Sequence, residues 1–596
     1  MKSFLKYTAA TVVGILLTLA ILSIISLAFF GSLLINSSST PTIKKNTVLI
    51  LSLSGEMVER TDGDNPLYSL LGSDVQQIGV EDVINAIKKA KTEDNIKGIY
   101  IKSGVMAGAS PASLQSIRKA LVDFKKSGKF IYAYGDLYTQ GGYYLSSVAD
   151  KIMLNPSGTL TWHGMSVQMT YYKDLLSMVG VKAEVFRVGT FKSAVEPYFE
   201  TKMSAANRLQ MTTFTNDIWG TMVADVAASR KLTSAKLNQY ADSVVDFRSA
   251  ADVKSLGLVD QLTYRDEASD ELKKKLGLAE DDVIPSVSVG ELSAMGDSEP
   301  KDKSGNEIAV YYAYGEIVSD LQPDVMSSAG QISARKMCED LKKLQDNKDV
   351  KAVVLRINSP GGDSYASEQI CHAVAELKKK KPVVVSMGGY AASGGYYIAS
   401  PASKIFAEPT TLTGSIGIYG LFFNPSDLLV NKLGLHFDNV KTNAHADYEG
   451  ALYSRDLNSD EKNMIQTYVN RGYDLFLTRV SEGRHMPKQQ VHEIAQGRVW
   501  TGLRAVKIGL VDKLGGIDEA VVEAAKLAKV DKYATVSLPE KTGFLDRFLD
   551  GGLTKMTVDK QLREWLGPMY NSFMYLRTIN TRSSLQAGLP YIITFN

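Results

Sequence analysis

The chain has 596 residues, several times the length of an ordinary domain, so two or more hydrophobic cores are expected. Its 67 basic and 65 acidic residues leave a net charge of +2, which gives no reason to expect nucleic acid as a partner. Two cysteines, Cys338 and Cys371, exclude a disulfide scaffold and read as buried structural thiols, with a single bridge left open; six scattered histidines, with neither HExxH nor CxxC, give no metal site.

Residues 1–7 carry Lys2 and Lys6, and the next 28 residues, Thr8–Ile35, hold no charge. As a helix that stretch would cover ~42 Å, more than the ~30 Å of bilayer hydrocarbon. Its exit, GSLLINSSST, lacks the A-x-A-like pattern of a cleaved signal, so 8–35 is read as an uncleaved transmembrane anchor. The two lysines place residues 1–7 in the cytoplasm and everything after the anchor on the far side. Residues 36–46 form a polar stalk.

From residue 47 onward the chain repeats itself. TVLILSLSGEMVE opens one copy and EIAVYYAYGEIVS the other; each is followed by a helix, a strand, a further helix and another strand, and GLVDQL at 257–262 returns as GLVDKL at 509–514. Residues 141–164, GGYYLSSVADKIMLNPSGTLTWHG, align without a gap with 394–417, GGYYIASPASKIFAEPTTLTGSIG, at an offset of 253. The copies are taken as 47–292 and 307–530, joined by a polar linker at 293–306. Residues 531–596 have no counterpart in the first copy and no assignable task. Strands alternating with amphipathic helices predict an α/β fold, with mostly parallel sheets covered by helices.

The copies differ where chemistry would sit. Directly before the aligned segment the first has Gln140 and the second Ser393. Ser393 lies between a strand and a helical run, with small neighbours, in the manner of a nucleophile elbow though without the GxSxG sequence; the plainer reading is a serine capping the helix. Upstream, strand AVVLRIN runs into Ser359-Pro360-Gly361-Gly362. Paired glycines before a helix can turn backbone N–H groups toward a developing oxyanion, or simply make a tight turn. The first copy has SGVMAGAS instead, without the paired glycines. No histidine has an evident claim as the base for Ser393. Lys192, in GTFKSAVEPYFE, has Phe191, Ala194 and Val195 beside it; burial there would lower its pKa toward neutrality, whereas on the surface it would be an ordinary lysine. It would align with His445 or Ala446, so serine and lysine stand in opposite copies.

KSAVEP around Lys192, RINSPGG at 356–362, AASGGY at 391–396, LTGSIG at 412–417 and GRVWTG at 497–502, all in order, resemble the motifs of the signal peptide peptidase A family, membrane-anchored serine proteases of peptidase family S49 in its long form. The resemblance spans about residues 45–530. It implies tandem domains on the fold shared by the Clp protease and the crotonases, with Ser393 as nucleophile and Lys192 as general base. It further implies Ser415 as the group that holds the lysine amine, and the Gly362 and Gly394 N–H groups as the oxyanion hole. No metal or other cofactor is called for. The implied substrates are cleaved signal peptides or other unfolded hydrophobic peptides, and the implied assembly is a homotetramer anchored in the inner (cytoplasmic) membrane, with its sites on the extracytoplasmic side. Two other readings remain at this stage: an acyl-CoA enzyme of the crotonase class, which needs neither anchor nor Ser393, and a non-catalytic scaffold of a membrane complex.

Overall fold

The computed structural model describes residues 43–61, 77–295, 304–320, 330–540 and 585–588, with scattered helical positions between 6 and 23. The expected anchor at 8–35 lies largely outside the described residues, and among those described no helix is long and apolar enough to cross a membrane.

Each copy builds its own parallel sheet. In the first, the strand order is Gln77–Gly79, Thr47–Val58, Ile96–Ala107, Phe130–Tyr138, Lys151–Leu160, Gln261–Leu262, with Ser286–Ser288 also alongside Thr47–Val58. In the second, Ala534–Leu538, Glu307–Tyr314, Val350–Ser359 and Val383–Ala392 run parallel, and Leu412–Gly414 then pairs antiparallel with Val499–Thr501. Ala534–Leu538 stands beyond position 530, where the repeat was expected to stop, and occupies beside Glu307–Tyr314 the place that Ser286–Ser288 holds beside Thr47–Val58.

The sequences dictate this form. The strand Val383–Ala392, VVVSMGGYAA, is buried at every position, as a parallel strand covered on both faces must be. The helix Ser364–Lys378 buries Ala366, Ile370, Val374 and Leu377 along one stripe, and the Asp363 carboxylate caps it by accepting the Ala366 N–H at 2.6 Å. Its counterpart, Pro111–Lys125, buries Leu114, Ile117, Leu121 and Phe124 and is capped by Ser110.

A third sheet is composite. Its order is Gln331–Ser333, Glu316–Val318, Gly361–Asp363, Leu585–Gly588, Tyr419–Asn424, Lys182–Arg187. The last pair is antiparallel and joins the two copies, from Arg187 opposite Tyr419 to Lys182 opposite Asn424. The copies share more than this edge. Tyr390, Leu412 and Val499 of the second pack into the core of the first, and Phe186 of the first packs into the core of the second. Arg356, buried, holds Glu59 of the other copy through Nε–Oε2 at 3.0 Å and Nη2–Oε1 at 3.3 Å, and its Nη1 donates to Ser386 Oγ and the Met387 carbonyl. Glu59→Ala is expected to destabilise the chain by roughly 3–5 kcal/mol, because it strands a buried guanidinium. Replacing both partners by methionine should recover most of that loss. Urea midpoints of the two variants check this, and equal losses would contradict it.

Candidate active site

Ser393 ends the strand Val383–Ala392 and precedes the helix Gly394–Ala399. Its backbone is held at φ 55°, ψ −114°, outside the ordinary regions for a residue with a Cβ. Such a conformation costs on the order of 1–3 kcal/mol and persists only where the surroundings impose it. Here the Ser393 N–H donates to the Gly414 carbonyl at 2.8 Å, and its own carbonyl accepts the Tyr397 N–H at 2.8 Å. The side chain does not cap the helix. That removes the plainer reading of this serine: the bent backbone carries Oγ away from the helix N–H groups.

Oγ meets Lys192 instead. The two atoms are 2.8 Å apart across 201 residues of sequence. Lys192 follows the strand Lys182–Arg187, so the antiparallel pairing between the copies carries it to the serine. Its side chain is only 1% exposed, and burial alone lowers its pKa to about 7. The amine also lies 3.1 Å from Ser415 Oγ and donates to the Ser415 carbonyl at 3.2 Å. Ser415 itself has φ 50° and is fixed by its N–H bond to the Arg498 carbonyl at 2.7 Å. Lys192, Ser393 and Ser415 are thus brought together. Gly394 follows Ser393 directly, and Gly361–Asp363, which carries Gly362, runs next to the Ser393 turn so closely that a Cβ on Gly361 would stand 2.7 Å from the Gly394 nitrogen. An uncharged amine touching a hydroxyl in a dry crevice is a base poised to take its proton.

The lysine loop is clamped by Gln210 and Arg187, which the motifs do not name, and by Glu196 of KSAVEP. Gln210, on the long helix Ala205–Arg230, donates through Nε2 to the Phe191 carbonyl at 3.1 Å and to Ser193 Oγ at 3.2 Å, and its Oε1 accepts the Val499 N–H at 3.2 Å. Arg187 Nη1 donates to the Lys192 carbonyl at 3.1 Å. The Glu196 carboxylate, wholly buried, accepts from Ser204 Oγ at 2.6 Å and Asn207 Nδ2 at 2.9 Å. Asn207 and Gln210 continue the buried stripe of Phe214, Ile218 and Met222. Polar residues on an otherwise apolar helix face were the available signal.

In the first copy the place of Ser393 belongs to Gln140, whose amide is spent on the backbone. Its Oε1 accepts the N–H groups of His163 at 3.2 Å and Gly164 at 3.1 Å, and Nε2 donates to the Gly164 carbonyl at 3.1 Å. His163 and Gly164 align with Ile416 and Gly417, so the glutamine fills the space where the second copy admits Lys192. His163 turns its ring to Asp246, 2.7 Å away, and His492 to Tyr473, 3.0 Å away. Cys338 and Cys371 are both free thiols, and burial pushes Cys371 up to about 12.

A duplicated α/β fold of the Clp-protease kind, with a buried lysine against a strained serine, defines a serine peptidase. The sequence profile of peptidase family S49 matches residues 123–279 and 375–531, more than half of the chain, and that of the Clp proteases matches 305–411. The chain belongs to peptidase family S49 and is of the SppA type. It is 36% identical to "Protease 4" of Salmonella typhi over 84% of this chain and 82% of that one. It is 34% identical to "Protease 4" of Haemophilus influenzae over 95% and 92%, and 29% identical to "Serine protease SPPA, chloroplastic" of Arabidopsis thaliana over 87% and 76%. Family membership leaves the acyl-CoA and scaffold readings without support.

The GRVWTG motif begins at Gly497, which has φ 78° and lies against the lysine: a Cβ there would stand 2.6 Å from the Lys192 backbone nitrogen, Cα and Cβ. Gly497→Ala should therefore displace the amine. A shift of about 1 Å in a catalytic group costs about 100-fold, so peptidase kcat is expected to fall by about that factor. The left-handed backbone adds about 1–2 kcal/mol of destabilisation, which should leave the protein folded by circular dichroism. A variant with the parent kcat would show that Gly497 does not set the lysine's position.

Proposed function

We propose that the chain is a Ser-Lys peptidase that degrades cleaved signal peptides. The single observation behind this reading is the contact between the Lys192 amine and Ser393 Oγ at 2.8 Å, in a setting that brings the amine to about 7. Uncharged Lys192 takes the proton from Ser393 Oγ as the oxygen attacks a peptide carbonyl. The oxyanion forms against the N–H groups of Gly362 and Gly394. Lys192 then protonates the departing amine, leaving an acyl-Ser393, and a water activated by the same amine hydrolyses the ester. Ser415 keeps the amine aimed while its proton comes and goes.

The uncharged stretch 8–35, with Lys2 and Lys6 before it, supports a single anchor in the inner membrane and a catalytic part on the extracytoplasmic side. There the spent signal peptides, hydrophobic and released within the bilayer, are near at hand. The homotetramer is proposed on the family resemblance; enclosed sites in such an assembly would admit unfolded segments only.

Ser393→Ala is expected to abolish hydrolysis of a synthetic signal peptide while leaving the melting midpoint nearly unchanged, since one hydroxyl is lost. Lys192→Ala should lower the rate at least ~1,000-fold, the scale on which loss of a catalytic base is felt. The sign of the pH dependence follows from the lysine: below about 7 the amine is protonated and cannot accept. kcat/KM should thus rise about tenfold per pH unit on the acid side and level off above neutrality. A rate independent of pH from about 5 to 9 would exclude a lysine base.

A further inference from the structure

The groove in front of the serine already contains a strand. Leu585–Gly588, LQAG, runs antiparallel to Gly361–Asp363 on one side, with Gly588, Ala587 and Gln586 opposite Gly361, Gly362 and Asp363. On the other side it runs antiparallel to Tyr419–Asn424, with Gln586 opposite Tyr419 and Leu585 opposite Gly420. It therefore joins two strands that are the rims of a slot, and both rims belong to the site. One carries the glycines beside the Ser393 turn. The other carries Tyr419, whose ring centre is 5.8 Å from the Lys192 amine. A slot between two strand edges is how an extended peptide is bound through its main chain.

The register brings one peptide group against the glycines beside the Ser393 turn. Ala587 is wholly buried and packs into the core of the second copy. Its carbonyl oxygen comes so close to the glycines that a Cβ on Gly361 would be 1.9 Å from it and a Cβ on Gly394 3.2 Å from it. It thus stands against Gly361 and Gly394, neighbours of Gly362 and Ser393 in the chain.

We propose that Leu585–Gly588 is an internal pseudosubstrate, which occupies the peptide slot with Ala587 at the position of the scissile carbonyl and competes with substrates in the same chain. The proposal rests on the peptidase reading and adds its regulation. The strand is tethered to the second copy through residues 539–584, so it competes at an effective concentration on the order of millimolar. Free peptide has to displace it before reaching Ser393.

The full chain carrying Ala587→Trp tests this, because the enclosed position has no space for an indole. Three quantities are compared with the parent: hydrolysis of an alanine-rich fluorogenic peptide, the rate at which a small fluorophosphonate labels Ser393, and hydrogen exchange of the amides at 361–363 and 419–420. The expected result is at least a tenfold rise in kcat/KM and in labelling rate, faster exchange on both rims, and renewed inhibition by a synthetic peptide of residues 583–590. In the otherwise parent chain carrying Ser393→Ala, saturating substrate peptide should deprotect the amides of Gln586 and Ala587; this measurement needs no change to the tail and stands if Ala587→Trp fails to fold. Ser393-dependent hydrolysis at one and the same rate in parent and Ala587→Trp, with unchanged exchange, overturns the pseudosubstrate and leaves the peptidase intact. Exchange and labelling that respond to the tail, with no peptide hydrolysed by either protein, uphold the occupied slot and overturn the peptidase.

Discussion

A lysine amine keeps company with a serine hydroxyl as a base only while it is uncharged, and it is uncharged near neutrality only where water is kept from it. An ordinary lysine, with a pKa of ~10.4, is neutral in about one molecule in 2,500 at pH 7. At about 7, Lys192 is neutral in roughly half. Burial therefore greatly raises the population of the uncharged amine, and this burial is a property of the pair of copies. The first copy supplies the loop from Val188 to Val195. The second supplies the walls: Val188 N–H donates to the Ile418 carbonyl at 3.2 Å, and Phe191 N–H to the Gln496 carbonyl at 2.9 Å. The antiparallel strands 182–187 and 419–424 hold the two together. Parting the copies would hydrate the amine and return it to a charge, so the proposed base would exist only in the assembled fold.

Duplication made this division of labour available, and the two copies show what each gave up. The second breaks its strand at Ser359-Pro360 and starts the short strand Gly361–Asp363 in a different sheet. In the first, Ile96–Ala107 runs on without a break and stays paired with Thr47–Val58 as far as Ala107. Without the diverted strand there is no slot, and without the slot a nucleophile has no use. Gln140 then stabilises the turn that Ser393 leaves open, closing on the His163–Gly164 backbone. The first copy spends its freedom on the loop that delivers the lysine and on the helix of Asn207 and Gln210 that clamps it.

What the sequence makes legible follows from range. The constant offset between 141–164 and 394–417 reveals the duplicated architecture, because strand and helix periodicities are local and survive divergence. The apolar neighbours of Lys192 point to its burial, and the small residues around Ser393 to its turn, for the same reason. The partners that complete the site are not local. Nothing within a dozen residues of Glu59 announces Arg356, and Gly497 owes its place to Lys192, which is some three hundred positions away. The crossing of Lys182–Arg187 to the other copy is equally silent, since a strand's pattern fixes which face is buried but not which chain segment lies beside it. Similarity between the copies fades at about 530, and Ala534–Leu538 continues the sheet beyond it because backbone pairing tolerates sequence change.

The composite sheet links these features to the kind of chain the proposed enzyme would accept. Its gap between Gly361–Asp363 and Tyr419–Gly420 is one strand wide, and the tail segment fills it with main-chain pairing on both sides. A ligand in such a place has to offer both of its edges at once. A helix has none to offer, and a strand within a folded sheet has at most one. A chain entering such a gap must therefore be free of its own main-chain hydrogen bonds, and small where it meets the enclosed position that Ala587 occupies. The same pairing that carries Lys192 across to Ser393 also sets one rim of the slot, so that in the proposed enzyme the desolvation of the base and the preference for unfolded peptides would be two consequences of one strand crossing from the first copy to the second.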